Sequence, residues 1–185
     1  MPDYNELIDR YYAPGTRRRE ILVKHSRQVA DKALKISRSL GLDLDETTVE
    51  AAAMLHDIGI VATDAPGIDC HGTEPYLRHG IIGARMIREA GFPEVIARVA
   101  ERHTGAGIST DDIVAMNLPL PPGDYMPRTL LERLVCYADK FFSKSGDMKE
   151  KPLERVRLSM AKHSPETVTR FEALHKEFGA GHKAL

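Results

Sequence analysis

Six residues of this chain pair metal-binding chemistry with apolar surroundings: His25, His56, Asp57, His79, His103 and Asp139. His25 sits at helical spacing between Ile21 and Val29, on a stripe with Leu22, Ala33 and Ile36. His56 and Asp57 end the run "AAAML" and are followed at once by Ile58-Gly59. His79 precedes Ile82, Gly83 and Met86, His103 follows Ile96, Val99 and Ala100, and Asp139 lies between Val135 and Phe142. At a helical period, each of the six faces a core. One such histidine is ordinarily a hydrogen-bonded core residue. Four imidazoles and two carboxylates sent inward together would be very costly to bury without an internal counter-charge. A bound cation relieves that cost, because it takes the lone pairs and offsets the acids. Mixed nitrogen and oxygen ligation suits iron, manganese, zinc, cobalt or nickel better than calcium.

The elements that must carry these residues read as helices, with no sustained strand alternation. The expected fold is therefore all-α, a helical bundle. Thr16 is placed to cap a long helix reaching about Leu40, closed by Gly41. Asp45 caps the next helix, which is expected to stop at Gly59. Adjacent residues diverge inside a regular helix, so His56 and Asp57 can serve one site only where the backbone leaves it. The Ile58-Gly59 break is the expected device. Residues 60–74 read as a loop, Pro75 opens a helix to Ala90, and Pro93 opens one ending near His103 before the "TGAG" turn. Ser109 with Asp112 and Thr129 with Glu132 have capping-box spacing, the second opening a helix through Phe142. Two further helices follow, the last opened by Ser164-Pro165. The expected organisation is one domain over 1–185, with a core of about 16–145 and a helical extension over 146–185.

Composition narrows the partners. With a net charge of −1 there is no global attraction to nucleic acid or anionic membrane. The basic run "TRRRE" is local. No apolar stretch approaches the ~18 residues of a membrane span, and the acidic N-terminal segment lacks a signal-peptide pattern. Cys70 and Cys136 stand far apart, so no disulfide framework is expected and the cytoplasm is the expected address. Cys136 reads as core filler; His163, His175 and His182 read as surface residues.

The order His25, then His56-Asp57 in "LHDIG", then Asp139 in "YADK", resembles the HD superfamily of metal-dependent phosphohydrolases. The resemblance covers about residues 20–145. The additional His79 in "LRHGIIGARMI" and His103 in "ERHTGAG" are similar to the dinuclear branch, whose members include symmetrical diadenosine tetraphosphate hydrolases and cyclic dinucleotide phosphodiesterases. The segments "ERHTGAGI" and "LPLPPGDYMPRTLLERLVCYAD" resemble small HDIG-type proteins of archaea and bacteria. The resemblance implies an HD-domain bundle in which His25, His56, Asp57 and Asp139 hold one divalent transition metal. Asp57 would bridge to a second, held by His79 and His103, with iron the foremost candidate and manganese, zinc, cobalt or nickel as alternatives. Two departures stand out. Many HDIG proteins carry lysine after the motif, a candidate phosphate contact, where this chain has Ile60; and the "GYP" signature of cyclic dinucleotide enzymes is absent.

The expected chemistry is hydrolysis of a phosphoester or phosphoanhydride, in a nucleotide or dinucleotide, by a water that two metals activate. Asp57, Lys140 and Arg18 are the candidate catalytic residues, the latter two as cations near the site mouth; Lys144 and Arg78 are weaker candidates. Thr104-Gly105-Ala106-Gly107 is a candidate anion-binding turn, and His71 and Glu74 are candidate proton shuttles. The same ligands would also suit a mixed-valence di-iron oxygenase of a small substrate, or a non-catalytic nucleotide-binding regulator. The expected partner is a small phosphorylated substrate rather than a nucleic acid polymer or membrane, and a homodimer is compatible with the sequence.

Overall fold

The computed structural model describes residues 1–183. Helix α1 (Tyr4–Tyr11) starts at Asp3, whose carboxylate accepts from the Asn5 N–H at 2.8 Å, and buries Leu7 and Ile8. Helix α2 (Arg17–Leu40) ends at Gly41, whose φ of +60° is the left-handed turn that glycine adopts without strain. Thr16 stands at its start but forms no side-chain cap; its hydroxyl donates back to Ala13 O at 2.7 Å. Helix α3 (Glu46–Leu55) is capped by Asp45 through the Thr48 N–H at 2.8 Å.

After α3 come a 3-10 turn (Ile58–Ala62) and a small antiparallel ribbon of β1 (Asp64–Ala65) and β2 (Cys70–His71), with Ala65 opposite Cys70. The segment expected as plain loop is thus partly structured. A further 3-10 turn (Tyr76–Arg78) leads into α4 (His79–Glu89), so Pro75 precedes that turn and the α-helix begins only at His79. Next are α5 (Glu94–Arg102), α6 (Thr110–Ala115), α7 (Leu130–Asp139), α8 (Leu153–Met160) and α9 (Pro165–Lys183). Both capping boxes form, at Ser109/Asp112 and Thr129/Glu132.

The fold is all-α, with one short ribbon among the described residues. Helix α2 lies against α3, α7 and α9; α4 packs on α5 and on the turn after α3, and α5 also packs on α3 and α7. The contact between that turn and α4 corrects the expectation about Gly59. Helix α3 already ends at Leu55, and Asp57 has left helical geometry (φ −105°, ψ 6°) before the glycine is reached. Gly59 serves close approach instead. A Cβ there would lie 2.2 Å from the His79 carbonyl oxygen and 2.4 Å from the Gly83 nitrogen. Tyr12 pins the same turn, its hydroxyl donating to Ile58 O at 3.0 Å and accepting from the Val61 N–H at 2.9 Å. No described helix is long and apolar enough to cross a membrane.

Candidate metal centre

All six candidate ligands converge in the core and are buried, Asp139 the most exposed of them at 8%. They come from α2 (His25), the end of α3 (His56, Asp57), the start of α4 (His79), the end of α5 (His103) and the last residue of α7 (Asp139). Two sets form around one residue. Asp57 Oδ2 lies 3.1 Å from both His25 Nε2 and His56 Nε2. Asp139 Oδ1 approaches the same two nitrogens at 3.0 and 3.5 Å. The other oxygen, Asp57 Oδ1, faces His79 Nε2 at 3.4 Å and His103 Nε2 at 3.3 Å.

The imidazoles are oriented by their far nitrogens. Nδ1 of His56, His79 and His103 meets the carbonyl three residues earlier (Ala53, Tyr76 and Ala100) at 2.6, 2.6 and 2.8 Å. Those carbonyls can only accept, so Nδ1 carries the proton and Nε2 presents a lone pair to the centre. The lone pairs of His79 and His103 then face each other at 3.0 Å, while His25 Nε2 and His56 Nε2 lie 3.3 Å apart. Both Asp57 oxygens and His25 Nδ1 are buried without a hydrogen-bond partner. Inward-facing imidazole nitrogens around orphaned carboxylate oxygens fit transition-metal ligation, with His25, His56, Asp57 and Asp139 as one ligand group and Asp57, His79 and His103 as the other.

Protonation follows the same charges. Burial works against the charged form of His56, but Asp57 and Asp139 outweigh it and raise its pKa to about 9. Burial and the neighbouring His103 push His79 down to about 3. Burial would favour neutral carboxyls, yet His56 and Lys144 hold Asp57 well below the ordinary range, and Lys140 with His25 does so for Asp139.

A cavity of about 680 Å³ opens onto this centre, with His79, His103 and Asp139 in its lining. Lys140 lines it too, but its ammonium is committed, donating to His103 O at 2.9 Å and pairing with Asp139 Oδ2 at 2.8 Å. Lys144 reaches Asp57, its Nζ 2.7 Å from Oδ2 though out of hydrogen-bond alignment. The sequence pointed to Lys144 only by its turn spacing from Lys140, because the chain has left α7 there and helical periodicity no longer applies. Ile60, the position of the missing lysine, is core.

Other candidates are not brought to the centre. Arg18 is half-buried, outside the cavity lining, with its charge acting on Tyr12 and Cys70. His71 is exposed beside Asp69, and Glu74 pairs with Arg78 at 2.7 Å. The Thr104–Gly107 turn lines the cavity, but its Gly107 N–H is used internally, on Thr104 O at 3.1 Å. His163 lies exposed at the cavity rim. His175, expected at the surface, is half-buried with Nδ1 2.8 Å from the Tyr137 hydroxyl and its ring stacked beside that of Phe171. The side chain of His182 lies outside the described residues. Cys136 is fully buried core, as expected.

The HD domain family model matches residues 22–143. The chain belongs to the HD-domain family. Among curated proteins, this HD domain is 40% identical over 123 residues to an uncharacterized protein of Methanocaldococcus jannaschii, covering 65% of each chain. It is also 31% identical over 176 residues to the tRNA (cytidine(56)-2'-O)-methyltransferase of Thermoplasma volcanium, covering 95% of this chain and 46% of the enzyme. The namesake enzyme of Picrophilus torridus matches at 34% over 67% of this chain and 32% of its own length. The chain thus spans about two thirds of the first relative and under half of the methyltransferases. Among solved structures, the HD domain of the L. monocytogenes phosphodiesterase PgpH superposes with TM-scores of 0.53 and, in complex with cyclic-di-AMP, 0.54, at 15% and 14% identity. Those structures cover 98% of this chain, and the matches span 100% and 97% of theirs. At that identity the likeness is one of fold.

Proposed function

We propose that this HD domain is a phosphohydrolase cleaving a phosphoester or phosphoanhydride, in a nucleotide or dinucleotide, with two divalent transition-metal ions, iron foremost. One observation carries the reading: the two oxygens of Asp57 face two different histidine groups at the floor of a cavity lined by lysines. Metal ions held there would polarise the phosphoryl group and activate water for in-line attack.

The chain's own residues have distinct tasks. The backbone carbonyls of Ala53, Tyr76 and Ala100 hold three imidazoles in the tautomer that points Nε2 inward. Lys140 is a positioning residue, tying Asp139 to the carbonyl of His103 and so joining α7 to the end of α5. Lys144, 18% exposed at its side chain, is placed to meet phosphoryl oxygens. It supplies from beyond α7 the cation that the chain lacks at Ile60. Arg18 would contribute only at longer range.

The test is elemental analysis of protein purified without added metal, then a hydrolysis screen over nucleotides, dinucleotides and bis-(p-nitrophenyl) phosphate. The likeness to part of two tRNA methyltransferases is reason to include RNA-derived nucleotides. About two equivalents of transition metal with hydrolysis is the expected result. Metal-loaded protein inert toward every phosphate, with a mixed-valence di-iron EPR signal and oxygen uptake, would replace this reading with the oxygenase one.

A further inference from the structure

We propose that Lys151, next to Lys144 in the cavity lining, forms an anion subsite for a second phosphoryl group, so that the cavity selects compounds carrying two or more phosphoryl groups over phosphomonoesters. This rests on the phosphohydrolase reading for the identity of the first phosphoryl group. Both lysines lie beyond the residues matched by the family model, which end at 143.

The segment after α7 is built to aim Lys151. Its own N–H donates to Phe141 O at 2.7 Å, which lays it against the end of α7. Gln28 Nε2 on α2 donates to Met148 O at 2.7 Å, and Lys32 Nζ on α2 donates to Glu150 Oε1 at 2.6 Å. Two left-handed residues, Gly146 (φ +72°) and Met148 (φ +54°), fold the segment back for these contacts. With Glu150 drawn to α2, the next side chain turns the other way, and Lys151 lines the cavity beside Lys140 and Lys144. Lys140 and Lys144 each have a carboxylate within 2.8 Å, whereas the half-buried Lys151 ammonium has no ion pair or hydrogen bond among the described residues. An ammonium held partly out of water without a partner gains most from an anion brought by a ligand.

The charge balance points to a polyanion. Of the three ammonium groups lining the cavity, Lys140 and Lys144 are paired with Asp139 and Asp57, and the Asp112 carboxylate is held by Arg170, so the charge of Lys151 is left for a further phosphoryl group. Ile108, Met116, Leu118 and Met160 provide an apolar wall for the rest of the ligand.

The experiment is isothermal titration of the chelator-treated, full-length protein with inorganic pyrophosphate and with inorganic phosphate at low salt. Wild type is expected to bind pyrophosphate more tightly than phosphate. Lys151→Met should weaken pyrophosphate about tenfold, the effect of one lost charged hydrogen bond, and leave phosphate binding within twofold. Lys149→Met, an exposed neighbour outside the cavity lining, is the control and should change neither. Thermal melting checks that each variant is folded. Equal pyrophosphate affinity in folded wild type and Lys151→Met, or no pyrophosphate binding by wild type, overturns the subsite. The hydrolysis screen on metal-loaded wild type judges the phosphohydrolase reading separately: inertness there, with Lys151-dependent pyrophosphate binding intact, would leave the subsite standing and remove the reaction.

Discussion

The two halves of the centre share Asp57 and differ in almost everything else. The first half sets His25 and His56 against two carboxylates, with Lys140 and Lys144 close by. The second sets His79 and His103 against one oxygen of Asp57. Imidazoles of the same kind and equal burial therefore behave oppositely, His56 raised to about 9 and His79 lowered to about 3. Burial acts alike on both; two carboxylates outweigh it at His56, whereas His79 meets only Asp57 and has His103 against it. For a cation, the first half offers more negative charge and the second mainly neutral donors. The second is expected to bind more weakly and to empty first under a chelator.

The largest effect that could break this comparison is at the shared residue. Asp57→Ala is expected to abolish binding of both metals and lower hydrolysis by about a thousandfold or more, while the helical circular dichroism persists. Retention of one full metal equivalent would mean that the halves do not depend on a common carboxylate. Next comes His79→Ala, expected to lose one metal equivalent and keep the other, with activity down on the order of a hundredfold. His25→Ala should instead disturb the tighter half, and metal analysis of the two variants side by side would show whether the ranking is right.

A smaller effect sharpens how the halves are held together. Gly59→Ala places a methyl against the backbone of His79 and Gly83, and overpacking of this kind costs about 3 kcal/mol. The melting temperature should fall by roughly 6–12 °C for a domain of this size. The metal lost at lower chelator concentration should be the one belonging to His79 and His103. An unchanged melting temperature would show that the turn and α4 separate easily.

The most delicate test is pH in the metal-free protein. His56, raised above its unfolded value near 6.5, contributes stability that is present below that value and disappears as pH rises through about 9. His79 is lowered, so the unfolded chain binds its proton first, and stability declines as pH falls from about 6.5 toward 3. Histidine-resolved NMR should find His56 protonated at pH 8 and His79 neutral at pH 4.5. Two ordinary titrations near 6.5 would dissolve the electrostatic contrast between the halves.

Much of this site was legible before the chain was folded. Polar residues on apolar helical stripes announce themselves, because burial without a partner is so costly that six of them imply a common solution. The helical class followed from periodicity, and the caps at Asp45, Ser109 and Thr129 from short-range hydrogen bonding that depends on neighbours in sequence. Where periodicity stopped, so did legibility. Lys144 and Lys151 sit in an irregular segment whose direction is set by Gln28 and Lys32 on a helix more than a hundred residues earlier. Gly59 reads locally as a helix stop, yet its reason is the backbone of α4 against it. Arg18 sits near His25 in sequence, but its charge acts on Tyr12 and Cys70 outside the cavity. The sequence by itself determined the helices and the inward-facing histidines and aspartates, since both depend on local geometry and on the cost of burying charge. Only the tertiary structure decided how Asp57 divides its oxygens and which lysines face the cavity, because those are distances between elements that no local pattern encodes.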